Sequence, residues 1–148
     1  MLANAETAKR IPAVWVARIA VGIVLVLNGW CAFVFIFDAD AYAPGFELGG
    51  LPGRIVVQGV GILFLMWNAT YPLVLLDPIK HNAMFAVVLT QQIIGVLGET
   101  WLVFTLPEGH AALEATGMRF ILFDGGGLIA MGIAYAALNR HPRKTVSG

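Results

Sequence analysis

Charge is scarce in this chain. Lysine, arginine, aspartate and glutamate make up 12% of its 148 residues, about half the share of a soluble domain. Neither sign is in excess, since the formal net charge is zero. No basic surface exists to compete for phosphates, which excludes a nucleic-acid partner. Cysteine is limited to Cys31, so an intrachain disulfide or a cysteine metal knuckle is excluded. The chain also lacks an internal repeat, a low-complexity tract and a linker that would divide it. No spacing of serine, cysteine and histidine supports a nucleophilic triad.

What is abundant is apolar: 59% of the residues are hydrophobic, gathered into four long runs with the charges at their ends. Each run has the length needed to cross a hydrocarbon core roughly 30 Å thick. The spans are read as 14–37, 55–76, 82–104 and 120–138, within one membrane domain covering 1–148. The first is too long for a signal-peptide core of about 7–15 residues and contains Arg18, so it reads as a retained span behind a polar tail. The stretch 38–54, rich in Gly, Pro and acids, reads as a loop. Pro78 ends the second span in a tight turn, and part of 105–119 can form a helical lead-in to the fourth. The predicted fold is an all-α integral membrane protein, a bundle of four transmembrane helices. Lys9, Arg10, Lys80, Arg140, Arg143 and Lys144 fall on one side, against Arg54 and Arg119 on the other. By the positive-inside rule both termini are cytoplasmic. The basic tail after Leu138 is expected to be disordered.

The polar residues inside the runs carry the functional argument. In "QQIIGVLGETW", Gln91, Gln92, Gly95, Gly98 and Glu99 share an arc of about 120° on a helix of 100° per residue. Gln58, Gly61, Leu65, Asn68 and Pro72 align in the second span. Arg18, Gly22, Leu25 and Gly29, with Asn28 at the edge, align in the first. In the fourth, Asp124 lies with Gly127, Leu128, Met131 and Tyr135. Turning these stripes inward gives the most economical packing. At 1.5 Å per residue, Glu99, Asp124 and Gln58 lie about one turn or so below the outer boundary. Arg54 and Arg119 sit above them, and Gln91, Gln92 and Asn28 beneath.

Two readings of that layer stay open. In one, Gln58, Gln91, Gln92, Glu99, Asp124 and Arg54 line a ligand pocket in which Glu99 and Asp124 are the candidate catalytic acids. In the other they are interhelical glue, with the acids paired to arginines. Arg18 can snorkel from its helix end. Trp15, Trp67, Tyr71 and Trp101 suit aromatic belts or packing. The ridge Gly126, Ala130, Ala134 permits a close helix contact, as in a homodimer or a larger membrane complex. Asn68–Thr70 matches a glycosylation acceptor but lies within a span, and Gly125–Gly127 lacks the context of a nucleotide loop. Acidic loop residues such as Asp38, Asp40, Glu47, Glu108 and Glu114 do not add up to a metal site, and none is expected.

The pattern of Arg18, Gly22 and Gly29 in "ARIAVGIVLVLNGW", with an acid at Asp124 early in the fourth span, resembles the DoxX-like small bacterial membrane proteins. The resemblance covers most of the chain; the acidic first loop and "LMWNATYP" depart from that family's pattern. It implies a multi-pass protein of the inner membrane, an accessory subunit or lipophile binder with quinone or lipid as its ligand, and it supplies no catalytic residues. The competing class is an intramembrane enzyme. Carboxylates in a helical pocket are similar to those of the emopamil-binding-type isomerases, or serve a quinone-linked oxidoreductase component, with Glu99 and Asp124 moving protons. A proton-coupled carrier would have to dimerise, because four spans show no inverted repeat.

Overall fold

A computed structural model describes residues 2–140, with side chains described from 11 onward. The element order is α1 (Leu2–Phe37), α2 (Ala39–Tyr42), a 3₁₀ turn (Ala43–Phe46), α3 (Gly50–Asn68), α4 (Tyr71–Leu76), α5 (Asn82–Phe104) and α6 (Ala111–Asn139). The described residues contain no strand. Four helical segments are long and apolar enough to cross a membrane: Ile11–Phe37, Gly50–Leu76, Asn82–Phe104 and Ala111–Asn139. α1 packs against α3, α4 and α6, and α5 packs against α6 and α4.

The outward faces are apolar. On α1, Ile19, Ile23, Val26, Trp30, Phe33 and Phe37 follow one another at helical spacing, and all are exposed. On a water-soluble helix that stripe would be polar, so the surroundings that suit it are lipid.

The third span matches its expected limits, and the others differ at their ends. α1 starts at Leu2 rather than Val14, because "LANAETAK" is built largely from residues that tolerate a helix well. α3 starts at Gly50, with Pro52 in the first turn, where a missing N–H costs nothing. α6 starts at Ala111 through the helix-forming "AALEA", so the helical lead-in is real. The first loop is also largely helical, in α2 and the 3₁₀ turn. Lys9, Arg10, Arg143 and Lys144 have no described side chains, and the expected disordered tail lies mostly outside the described residues.

The second span is broken rather than continuous. Pro72 has no N–H to bond the Asn68 carbonyl, and its ring crowds that carbonyl. α3 therefore ends at Asn68, and α4 restarts after Ala69–Thr70. Side chains add hydrogen bonds to carbonyls around the break, where an apolar setting favours them. Asn68 donates to the Phe64 carbonyl at 2.7 Å, and the Thr70 hydroxyl lies 3.3 Å from the Trp67 carbonyl. Arg18 donates to the Leu76 carbonyl at 2.5 Å, closing the C-terminus of α4. Its guanidinium also lies over Trp15, 5.4 Å from the ring centroid.

Two apolar clusters form the interior. Val21, Val24, Tyr71, Phe85 and Met131 belong to one, near the Asp77–His81 turn. Phe35, Ala39, Ala43 and Val57 form the other, nearer the two longer loops. In the second span the buried face runs through Val57, Gly61, Asn68 and Tyr71, while Leu65 is exposed. That face is rotated by roughly 60° from the small and polar stripe read in the sequence. In α1 it runs through Ala17, Val21, Val24 and Asn28, with Arg18 and Gly22 at its flank. The stripe of α6 faces inward; on α5 Gln92 is buried and Gln91, Gly95 and Glu99 are half-buried, while Gly98, expected on the same stripe, is exposed.

Gly61 sets the closest approach. A Cβ there would stand 2.9 Å from the Ala32 carbonyl oxygen and 2.9 Å from Ile36 Cγ1, so α1 and α3 could not keep their spacing. Gly61→Ala is expected to destabilise by about 1–3 kcal/mol, the usual cost of overpacking. Gly59 meets open space, and Gly59→Ala is expected to be neutral or to stabilise by up to about 1 kcal/mol. Thermal unfolding of the two variants in detergent measures the contrast.

Candidate functional site

Between the two apolar clusters runs a line of polar side chains. Gln92 is 1% exposed and Asp124 8% exposed. The Tyr71 hydroxyl donates to Gln92 Oε1 at 2.8 Å. Gln92 Nε2 donates to Asp124 Oδ1 at 2.7 Å and to the Asp124 backbone carbonyl at 3.2 Å. The Glu99 carboxyl is the neighbour of Asp124 on α5. The four groups come from α4, α5 and α6, and helix geometry places them. Gln92 and Glu99 are seven residues apart, two turns on one face of α5. Gly95 lies between them, where a Cβ would come 3.4 Å from Asp124 Oδ2. The Asp124 carboxyl thus lies against α5 at this point, at ordinary contact distance.

Two carboxylates can only accept hydrogen bonds, and two ionised acids side by side would repel each other in an apolar setting, so the arrangement favours a single proton on the pair. Glu99 Oε2 is buried without a hydrogen-bond partner.

The arginines do not neutralise it. Arg54 makes two bonds to Asp40, at 3.1 and 2.5 Å, on the exposed surface near the loops. Arg119 forms no ion pair with Asp124 or Glu99 among the described residues. Gln58 donates to the Ile36 carbonyl at 3.0 Å and ties α3 to α1. Gln91 accepts from Thr70 at 3.0 Å, beside the helix break. Of the six candidate ligand-binding residues, the structure therefore gathers Glu99, Asp124 and Gln92 into one cluster. It leaves Gln58, Gln91 and Arg54 in separate contacts. Among the described residues no group of three or more His, Cys, Asp or Glu side chains could hold a metal ion.

Each acid opens on a different cavity. Glu99 lines one of about 320 Å³ with Phe46, Leu102, Val103, Leu106, Leu113 and Phe120 among its walls. Asp124 lines a second, of about 240 Å³, and Phe120 borders both. The first cavity lies at the loop end and is roofed by two crossing contacts. The Thr116 hydroxyl donates to the Gly45 carbonyl at 2.8 Å. His110 Nδ1 lies 2.5 Å from Glu47 Oε2, and Glu47 Oε1 accepts a long bond, 3.5 Å, from the Leu113 N–H. Leu113 is part of the cavity wall and Glu47 follows the wall residue Phe46, so these contacts strap the first loop to the start of α6. The strap needs Glu47 in the left-handed region, at φ 54°. Hydrogen bonding to His110 holds the Glu47 carboxyl below the usual carboxylate range.

The sequence suits Tyr71 to packing or an aromatic belt, and the structure adds a hydrogen bond to Gln92. A straight second span places Pro72 on the inner stripe; the break at Ala69–Thr70 and the rotated face bring Tyr71 inward. "NATYP", with a proline four residues after an asparagine, is the signal for that break. The Glu47–His110 strap joins residues 63 apart and has no local signature.

Gln92→Leu removes the central amide and strands both the Tyr71 hydroxyl and Asp124. It is expected to lower stability by roughly 1–3 kcal/mol. Tyr71→Phe should cost less, within the range of up to about 1.7 kcal/mol measured for single interhelical hydrogen bonds. Denaturant titration of both variants measures the order. For the strap the sign follows from Glu47, whose folded value lies below its unfolded one. Its stabilisation is present above the unfolded carboxylate range and is lost as pH falls through the depressed value. The difference in melting temperature between wild type and Glu47→Gln is expected at neutral pH and should vanish in acid.

No protein-family model matches the chain, and neither a curated protein nor a solved structure shows significant similarity to it.

Proposed function

We propose that this chain is a multi-pass protein of the cell's inner membrane that binds a lipophilic molecule against the Glu99–Asp124 pair. The observation that carries the reading is the composition of the loop-end cavity, whose walls are almost wholly apolar and contain one ionisable group, Glu99. About 320 Å³ falls at the lower end of the range for small-molecule sites. A few convergent polar groups in an apolar wall are what such sites use to orient a ligand. Glu99 can turn the pair's single proton from Asp124 toward a carbonyl or hydroxyl on the ligand and donate a hydrogen bond to it. A quinone or a lipid with such a group fits that chemistry.

In this reading the protein is an accessory subunit of the DoxX-like kind, a four-helix bundle with both termini in the cytoplasm. The cavity and its strap then lie toward the outer face. The second reading, an intramembrane enzyme, is favoured by the pair's single proton. A carboxyl pair that gives one proton to a bound lipophile and takes another back from a different atom can isomerise it without any change of oxidation state, with Glu99 facing the ligand and Asp124 behind it.

Lipid extraction and mass spectrometry of the purified protein test the binding. A bound lipophile is expected with wild type and should be lost in Glu99→Gln, while the melting temperature stays near that of wild type. The opposite result is an absence of any bound lipophile, with Glu99→Gln unfolding early. It would reduce the pair to a helix-joining contact.

A further inference from the structure

The second cavity has a different chemistry from the first. It lies between α1, α3 and α6, and Leu27, Phe64, Phe120 and Phe123 supply its apolar walls. Asn28, Cys31 and Arg119 also line it. Asn28 is only 6% exposed, and its amide makes no hydrogen bond to a described residue, so it is free to bond a ligand in this cavity. Arg119 likewise has neither an ion pair nor a hydrogen bond among the described residues; it is exposed at the loop-end side of the cavity, where its guanidinium is free to meet a ligand.

The one acid on the cavity wall is turned away. Asp124 Oδ1 is bonded to Gln92, and Oδ2 lies against Gly95, so both oxygens point to α5. What remains facing the cavity is a guanidinium and an amide, both able to donate to one acceptor group.

We propose that this cavity binds the anionic head of an amphiphile, a carboxylate or a phosphate, through Arg119 and Asn28. The guanidinium presents a fork that matches either oxyanion. The cavity, about 240 Å³, is smaller than a typical site for a whole drug-sized molecule. It holds the head and the first carbons, and the rest of the chain leaves between the helices along Leu27 and Phe64. The site is independent of the ligand proposed for the loop-end cavity.

Cys31 is the chain's sole cysteine and lines this cavity, so its alkylation reports occupancy. The full-length protein, in nanodiscs of neutral phosphatidylcholine, is treated with N-ethylmaleimide in the presence of laurate, lauryl phosphate, dodecanol or inorganic phosphate. Laurate and lauryl phosphate are expected to slow alkylation, and dodecanol, with the same chain and no charge, is not. Protection by laurate alone identifies a fatty-acid head, by lauryl phosphate alone a phospholipid head, and by inorganic phosphate a free anion. Arg119→Gln is expected to weaken protection about tenfold or more, the loss of one charge-assisted hydrogen bond, and Arg119→Lys to retain part of it. Equal protection by dodecanol, no protection by any probe, or an unchanged Arg119→Gln would overturn the proposal. If the thiol proves unreactive, the melting-temperature shifts produced by the same probes decide between the same outcomes.

Discussion

Gln92 has one carbonyl oxygen and two N–H donors, and three helices meet at them. From α5 it accepts the Tyr71 hydroxyl of α4 and donates to the side chain and backbone of Asp124 on α6. In a bilayer, apolar side chains gain nothing by leaving lipid for one another, so directional bonds and close packing must fix how helices sit. The amide does this at the centre of the molecule. It also decides which way Asp124 faces, and thereby where Glu99 finds its partner. The carboxyl pair depends on an uncharged residue.

The same layer shows why the acids do not recruit arginines. Asp40 lies close enough on α2 to take both nitrogens of the Arg54 fork, in a place where water and salt reach them. That surface pair contributes little stability, but it keeps Arg54 at the loop end. The acids are left in an arrangement that favours a single proton on the pair. A pair in that state responds to what enters the cavities beside it, which an arginine bridge would resist.

Hydropathy was enough to find the four spans, and for 82–104 it found both ends, because length and apolar content are properties of a segment by itself. The inward faces of α5 and α6 were legible for a related reason, since the costly residues Gln92, Glu99 and Asp124 mark them. The faces of α1 and α3 were not. There the stripes were defined by glycines and by Arg18 or Gln58, while Val21, Val24 and Val57 line the interior. An apolar residue carries no sign of whether lipid or protein covers it. The convergence of Glu99 with Asp124 followed from depth alone. The separate contacts of Arg54 and Gln58 did not, because depth says nothing of which neighbour is nearest around the circle. The break before Tyr71 was written in Pro72, and a continuous helical projection passes over it.

Phe120 stands between the two cavities and borders both. It also packs edge-on against Phe35, with ring centroids 6.3 Å apart, and beside Phe46 and Phe64 at 6.4 and 5.9 Å. A ring held on three sides has a fixed place, so one side chain sets a wall of both chambers, and any residue that replaced it would reshape the two together.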